Sequence, residues 1–129
     1  QKKTRDIVRM QEVLLLRSSL RMYYIDHAAY PPSPAGTIQI GADDHQNLCD
    51  AGFVAQNNNS CAQKTYGRML PSGPHIQPDD SYSYTPLSEN STEPCTSTAA
   101  CPHFAIHFMF ETDVLYPRGA HVLTDTGIR

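Results

Sequence analysis

The chain has 129 residues, 40% of them hydrophobic, and a net charge of −3, so it is sized for one domain with one modest core. With 18% charged residues it has neither the basic footprint of a nucleic-acid binder nor the acidic excess of a solvating tail. No run approaches the roughly twenty apolar residues that cross a bilayer, and no signal peptide is visible.

Thr4 to Ala28 reads as one long helix. At about 100° per residue, Ile7, Met10, Val13, Leu14, Leu16, Leu20, Tyr23 and Tyr24 fall in one arc broad enough to cover a sheet. Val8, Leu15 and Met22 recur at heptad spacing on the opposite side, with Gln11, Glu12, Ser18 and Ser19 between the two apolar regions. Arg9, Arg17 and Arg21 lie in or beside the broad arc, so their stems should follow apolar surface while the guanidinium heads reach water or a carboxylate. Pro31 and Pro32 cannot continue a helix and Tyr30 is pushed toward extended geometry, which ends the helix between Asp26 and Ala29. Gln1 to Arg5 carries neither a cap nor a methionine start, and the helix would span about 40 Å. A piece cut from a longer helix is the simplest explanation.

Thr37 to Ile40 predicts a short, weak strand, and Asp43 to Tyr66 a loop with a helical turn near Gln46 to Ala51. The four cysteines form two local groups, Cys49 with Cys61 and Cys95 with Cys101, and neither spacing is the C-x-x-C of a zinc ribbon or a thioredoxin-like motif. Three pairings are open in principle; the local one is the most economical, since it closes a loop in each polar segment. Two disulfides point to a periplasmic or extracellular home. Ser81 to Thr85 alternates tyrosine with small hydroxyl residues, placing Tyr82 and Tyr84 on one face. Phe104, Ile106, Phe108 and Phe110 alternate with Ala105, His107, Met109 and Glu111, the clearest period-two signal in the chain and the predicted central strand. Gly119 turns into a third strand at His121 to Thr124. The expected fold is α+β: a helical spine at 1–29, an irregular region at 30–80, and a small antiparallel sheet of three to four strands with C-terminal loops at 81–129.

The helix exit, Tyr23-Tyr24, Asp26 and Tyr30-Pro31, has the form YY-x-D-x-x-x-YP and follows a basic stretch, Lys2 to Met10. Near the other end, Phe104 to Glu111 and Gly119 to Thr124 read as F-x-I-x-F-x-F-E and G-x-H-x-x-T. Together these segments resemble the type IV pilins and the pseudopilins of type II secretion. The resemblance implies a structural subunit that self-associates into a helical filament with the help of pilus or secretion assembly machinery. It also implies anchoring in the inner membrane before assembly, through an apolar helix half that this sequence lacks, and a cell-surface or periplasmic home afterwards. The processing site and N-methylation of the family belong to that segment. The Val8, Leu15 and Met22 stripe is the expected filament contact, with the disulfide-closed loops facing outward.

No nucleophile with a base, paired carboxylates or metal ligands at a fitting spacing argue for an enzyme or a cofactor. His103 and His107 share a strand face, which reads as solvent-exposed surface. Asp43, Asp44, Asp50, Asp79, Asp80 and Asp113 offer oxygen ligands of the kind calcium takes, but without the D-x-D-x-D-G spacing. Asn58-Asn59-Ser60 and Asn90-Ser91-Thr92 match the glycan acceptor triplet. The rival to a filament subunit is a non-polymerising minor pilin or envelope module whose loops bind a receptor or a sugar. DNA is disfavoured as a partner, because the basic residues concentrate on the helix.

Overall fold

A computed structural model describes residues 1–42, 44–57, 61–76, 80–90, 92–96 and 100–129. Asp43, Asp79, Asn58-Asn59-Ser60 and the middle of Asn90-Ser91-Thr92 lie outside the described residues.

Helix α1 runs from Lys2 to His27 and closes on Ala28, which takes a left-handed conformation and donates its backbone N–H to the carbonyl of Tyr24 at 2.7 Å. Its buried positions are Asp6, Arg9, Val13, Leu16, Ser19, Leu20 and Tyr23, the three-to-four spacing of one helix face. Val13, Leu16, Leu20 and Tyr23 are therefore core as expected, whereas Ile7 and Tyr24 are exposed. The seam is narrower than the apolar arc predicts and continues toward the N-terminus through Asp6 and Arg9, where charged groups take the buried positions.

The sheet is larger than three to four strands. Two antiparallel sheets are present: a five-stranded one, and a three-stranded one that the sequence did not suggest. The first is built from β1 (Ile38–Gln39), β5 (Ser83–Leu87), β6 (His103–Phe110), β7 (Gly119–Thr124) and β8 (Gly127–Ile128), in that spatial order. The second places β2 (Asn47–Cys49) between β3 (Gly52–Val54) and β4 (Thr65–Gly67). The helical turn expected near Gln46 to Ala51 is instead the β2–β3 hairpin, in which Cys49 pairs with Gly52. Gly52 has φ +96°, which suits glycine, and the hairpin buries Leu48 and Cys49 in the interior.

β6 is the central strand, with Phe104, Ile106, Phe108 and Phe110 all buried. They meet Val13, Leu16, Leu20 and Tyr23 of α1, together with Tyr82, Tyr84 and Leu123, in one core. Burying such a side chain contributes roughly 1.5–3 kcal/mol. The two buried tyrosines keep their hydroxyls satisfied: Tyr82 donates to Glu12 and Tyr84 to the carbonyl of Pro31, each at 2.7 Å. β4 approaches the helix closely because Gly67 has no side chain. A Cβ there would lie 3.0 Å from the Ser19 hydroxyl oxygen, and that hydroxyl donates to the carbonyl of Tyr66 at 3.1 Å.

Both cysteine pairs form as the local spacing predicts, Cys49 with Cys61 and Cys95 with Cys101. The first ties β2 to the chain ahead of β4. The second closes the connection between β5 and β6 next to the helix exit, where Tyr30 bridges Cys101.

Candidate functional site

The Val8, Leu15 and Met22 stripe stays on the outside of α1, with 42, 56 and 44% of each residue exposed. Ile7 and Ile25 add apolar surface on the exposed side of the helix. What makes this face rigid is the way the opposite face is fastened. Near the first turns of α1, the Arg9 side chain is buried to 1% exposure and its guanidinium donates to three carboxylates. It reaches Asp80 through Nη2 at 2.8 and 2.9 Å, Asp6 through Nη1 at 2.9 Å and Glu111 through Nη1 at 2.6 Å. Arg5 completes the cluster with a two-pronged contact to Glu111, Nε at 2.7 Å and Nη2 at 2.9 Å. Asp6 in turn accepts the backbone N–H groups of Glu111 and Thr112, each at 2.9 Å, and the Thr112 hydroxyl at 2.6 Å.

The electrostatics follow from this packing. The hydrogen bonds from Arg5, then those from Arg9, hold the Glu111 carboxyl at about 2, against an ordinary 4.5. Burial alone would depress the Arg9 guanidinium, but its hydrogen bonds to Glu111 and Asp80 outweigh that and raise it. At the other end of the helix Asp26 accepts from the Tyr66 hydroxyl at 2.7 Å and from Lys64 at 3.1 Å. Burial and this contact push the Tyr66 phenol up to about 12.

Among the described residues, the acidic ones considered for calcium do not converge on one site. Asp80 is held by Arg9, Asp113 accepts from Arg118, and Asp50 accepts the backbone N–H groups of Gln63 and Lys64. A guanidinium thus occupies the place a cation would need beside Asp80. Among the described residues, no three His, Cys, Asp or Glu side chains stand together where a metal ion could bind. His107 is exposed on the outer face of β6, while His103 on the same face bonds Asp125 at 2.8 Å. That outer face forms an open depression of about 510 Å³ lined by Gln39, Ser81, Ser83, His107, Met109 and Ala120. Its lining holds no carboxylate, and Ser83 stands opposite His107 across the β5–β6 pair.

The sequence placed the Arg9 stem on apolar surface with its head reaching water or a carboxylate, and the head meets Asp6, Asp80 and Glu111; that Asp6 and Arg9 are themselves buried was not foreseen, although a signal exists. The buried series 13, 16, 20, 23 extrapolates back to 9 and 6, so charged residues stand where the helix face calls for apolar ones. A scan against protein-family models found no match to this chain, and neither curated proteins nor solved structures gave one.

Proposed function

We propose that this chain is the head of a type IV pilin-like or pseudopilin-like subunit that assembles into a filament by helix packing. The observation that carries the proposal is the apolar stripe of Val8, Leu15 and Met22, exposed along a helix whose other face is bound to the sheet by the core and by the Arg9 cluster. Repeating subunits in a filament need a heterologous contact that does not close into a ring, and an outward helix face fixed to a rigid head suits that contact. The YY-x-D-x-x-x-YP helix exit supports the same reading, and the two disulfides fit assembly in an oxidising compartment. In this scheme an apolar helix half ahead of Gln1 anchors the subunit in the inner membrane and later bundles in the filament core.

The test is to express the precursor in its host and look for filaments containing it by electron microscopy. In that background Leu15→Asp should abolish filaments, while the purified head melts within about 0.5 kcal/mol of the parent, as expected for an exposed position. Normal filaments from Leu15→Asp would remove the stripe from the interface. Persistent monomers after correct processing of the parent would favour the non-polymerising binding module.

A further inference from the structure

The connection between β6 and β7, residues 111–118, carries three consecutive apolar side chains at its tip. Val114 is 54% exposed, Leu115 41% and Tyr116 37%. Such a tip is usually loosely held, but this one is tied at several points. Thr112 is bound to Asp6 through its N–H and its hydroxyl. Arg118 closes the loop on Asp113 with its backbone N–H at 2.8 Å and its guanidinium at 3.2 Å. The Tyr116 ring stacks on Phe110 with centroids 6.0 Å apart and meets His121 edge-on at 5.6 Å, while His121 bonds the carbonyl of Pro117. None of these ties runs through the side chain of Val114 or Leu115. An ordered tip that presents Val114 and Leu115 to water is a contact surface in want of a partner.

Its surroundings say which partner. The bonds from Thr112 to Asp6 set the tip beside the first turns of α1, and Lys2 and Arg118 line one depression there with Met109, Phe110, Glu111 and Gly119. Lys2 and Lys3 are exposed, and among the described residues no ion pair engages either. On a chain whose net charge is −3, cations next to an apolar tip would orient this one end toward an acidic surface. Three side chains are too few for a stable protein–protein interface, which takes about 800 Å² per partner. They do suit a weak, reversible seat in the boundary layer of a bilayer, where apolar insertion and basic side chains act together.

We propose that this end of the molecule is a lipid-facing surface: Val114 and Leu115 enter the headgroup boundary of an anionic membrane, Tyr116 lies at the interface, and Lys2 and Lys3 meet the acidic headgroups. The proposal holds whether or not the chain polymerises.

The experiment is flotation of the 129-residue chain with vesicles of phosphatidylcholine alone and of phosphatidylcholine mixed with phosphatidylglycerol. The chain should float with the mixed vesicles only, and added salt should release it. Lys2→Gln and Lys3→Gln should each weaken binding about fivefold, from roughly 1 kcal/mol per basic residue at an anionic surface. Val114→Ser with Leu115→Ser should abolish flotation while leaving the melting curve of the free chain unchanged, because both side chains are exposed. Leu15→Asp, on the filament stripe, should float like the parent, which separates this surface from the filament proposal. No flotation with mixed vesicles, or equal flotation with neutral ones, would overturn the proposal. So would a dimer in free solution that the double serine variant dissolves, since the tip would then belong to a second copy.

Discussion

Replacing Arg9 by methionine is the sharpest test of how the helix is fastened. Methionine keeps the apolar part of the stem and removes the guanidinium, whose five hydrogen bonds reach Asp6, Asp80 and Glu111. Glu111 would keep Arg5, but Asp6 and Asp80, both with side chains 1% exposed, would lose their shared cation in the interior. Breaking a buried ion pair from one side costs about 3–5 kcal/mol, because a charge is left without its partner. For a chain of this length that corresponds to a fall in melting temperature of about 10–20 °C. Urea and thermal unfolding of the oxidised protein near neutral pH, followed by circular dichroism, would read both quantities. Adding Asp80→Asn to Arg9→Met should cost less than the sum of the two single changes, by about 1–3 kcal/mol. A loss below about 1 kcal/mol for Arg9→Met would refute the reasoning, since that is the value of a solvated surface pair.

Two further outcomes can be measured on the same material. Because the Glu111 carboxyl is held at about 2 in the folded chain against an ordinary 4.5, its contribution to stability is fully present above about pH 4.5 and disappears as the pH falls from there toward 2. Urea midpoints across that window should fall in the parent, and Glu111→Gln should flatten this part of the profile; an unchanged slope would remove Glu111 from the cluster's energetics. The disulfides close loops with sequence separations of 12 and 6. The chain-entropy relation gives about 3 kcal/mol for Cys49–Cys61 and about 2 kcal/mol for Cys95–Cys101, so replacing each pair by serine should lower stability in that order. Equal losses, or the reverse order, would mean that local packing rather than loop closure sets their contribution.

The parts of the fold legible in the sequence are those where one local rule maps directly onto burial. Phe104 to Phe110 alternates because one face of β6 meets α1 and the other meets solvent or small side chains. The helix ends where Tyr30-Pro31 forbids another turn, and the cysteine spacing gave both bridges. The burial of Asp6 and Arg9, and which carboxylates Arg9 meets, went unread for a physical reason. Apart from their contact with each other, their partners are remote, Asp80 and Glu111 lying 71 and 102 residues from Arg9 and Thr112 106 residues from Asp6, so the neighbouring sequence does not name the groups they meet. The second sheet escaped because its strands are three residues long, too short for an alternation to register, and part of what fixes their course is a side chain: Asn47 accepts the backbone N–H of Met69. At the candidate site, heptad spacing was enough to pick out Val8, Leu15 and Met22 as exposed. The Val114–Tyr116 tip went unread because periodicity has no purchase on a loop.

The Arg5 and Arg9 contacts to Glu111 also decide how the molecule carries tension. Glu111 directly follows the last residue of β6, while Tyr30, just beyond the helix, bridges Cys101 ahead of the first, so helix and strand run in opposite directions. The Arg5 and Arg9 guanidinium groups couple the first turns of α1 to that strand end, so a pull on the helix directed along the strand is shared with β6. β6 is paired with β5 on one side and β7 on the other, so the force meets both ladders in shear, with their bonds sharing the load. Peeling from a sheet edge would instead break them one at a time. The charged cluster joins the spine to the head in the direction along which the sheet is hardest to pull apart.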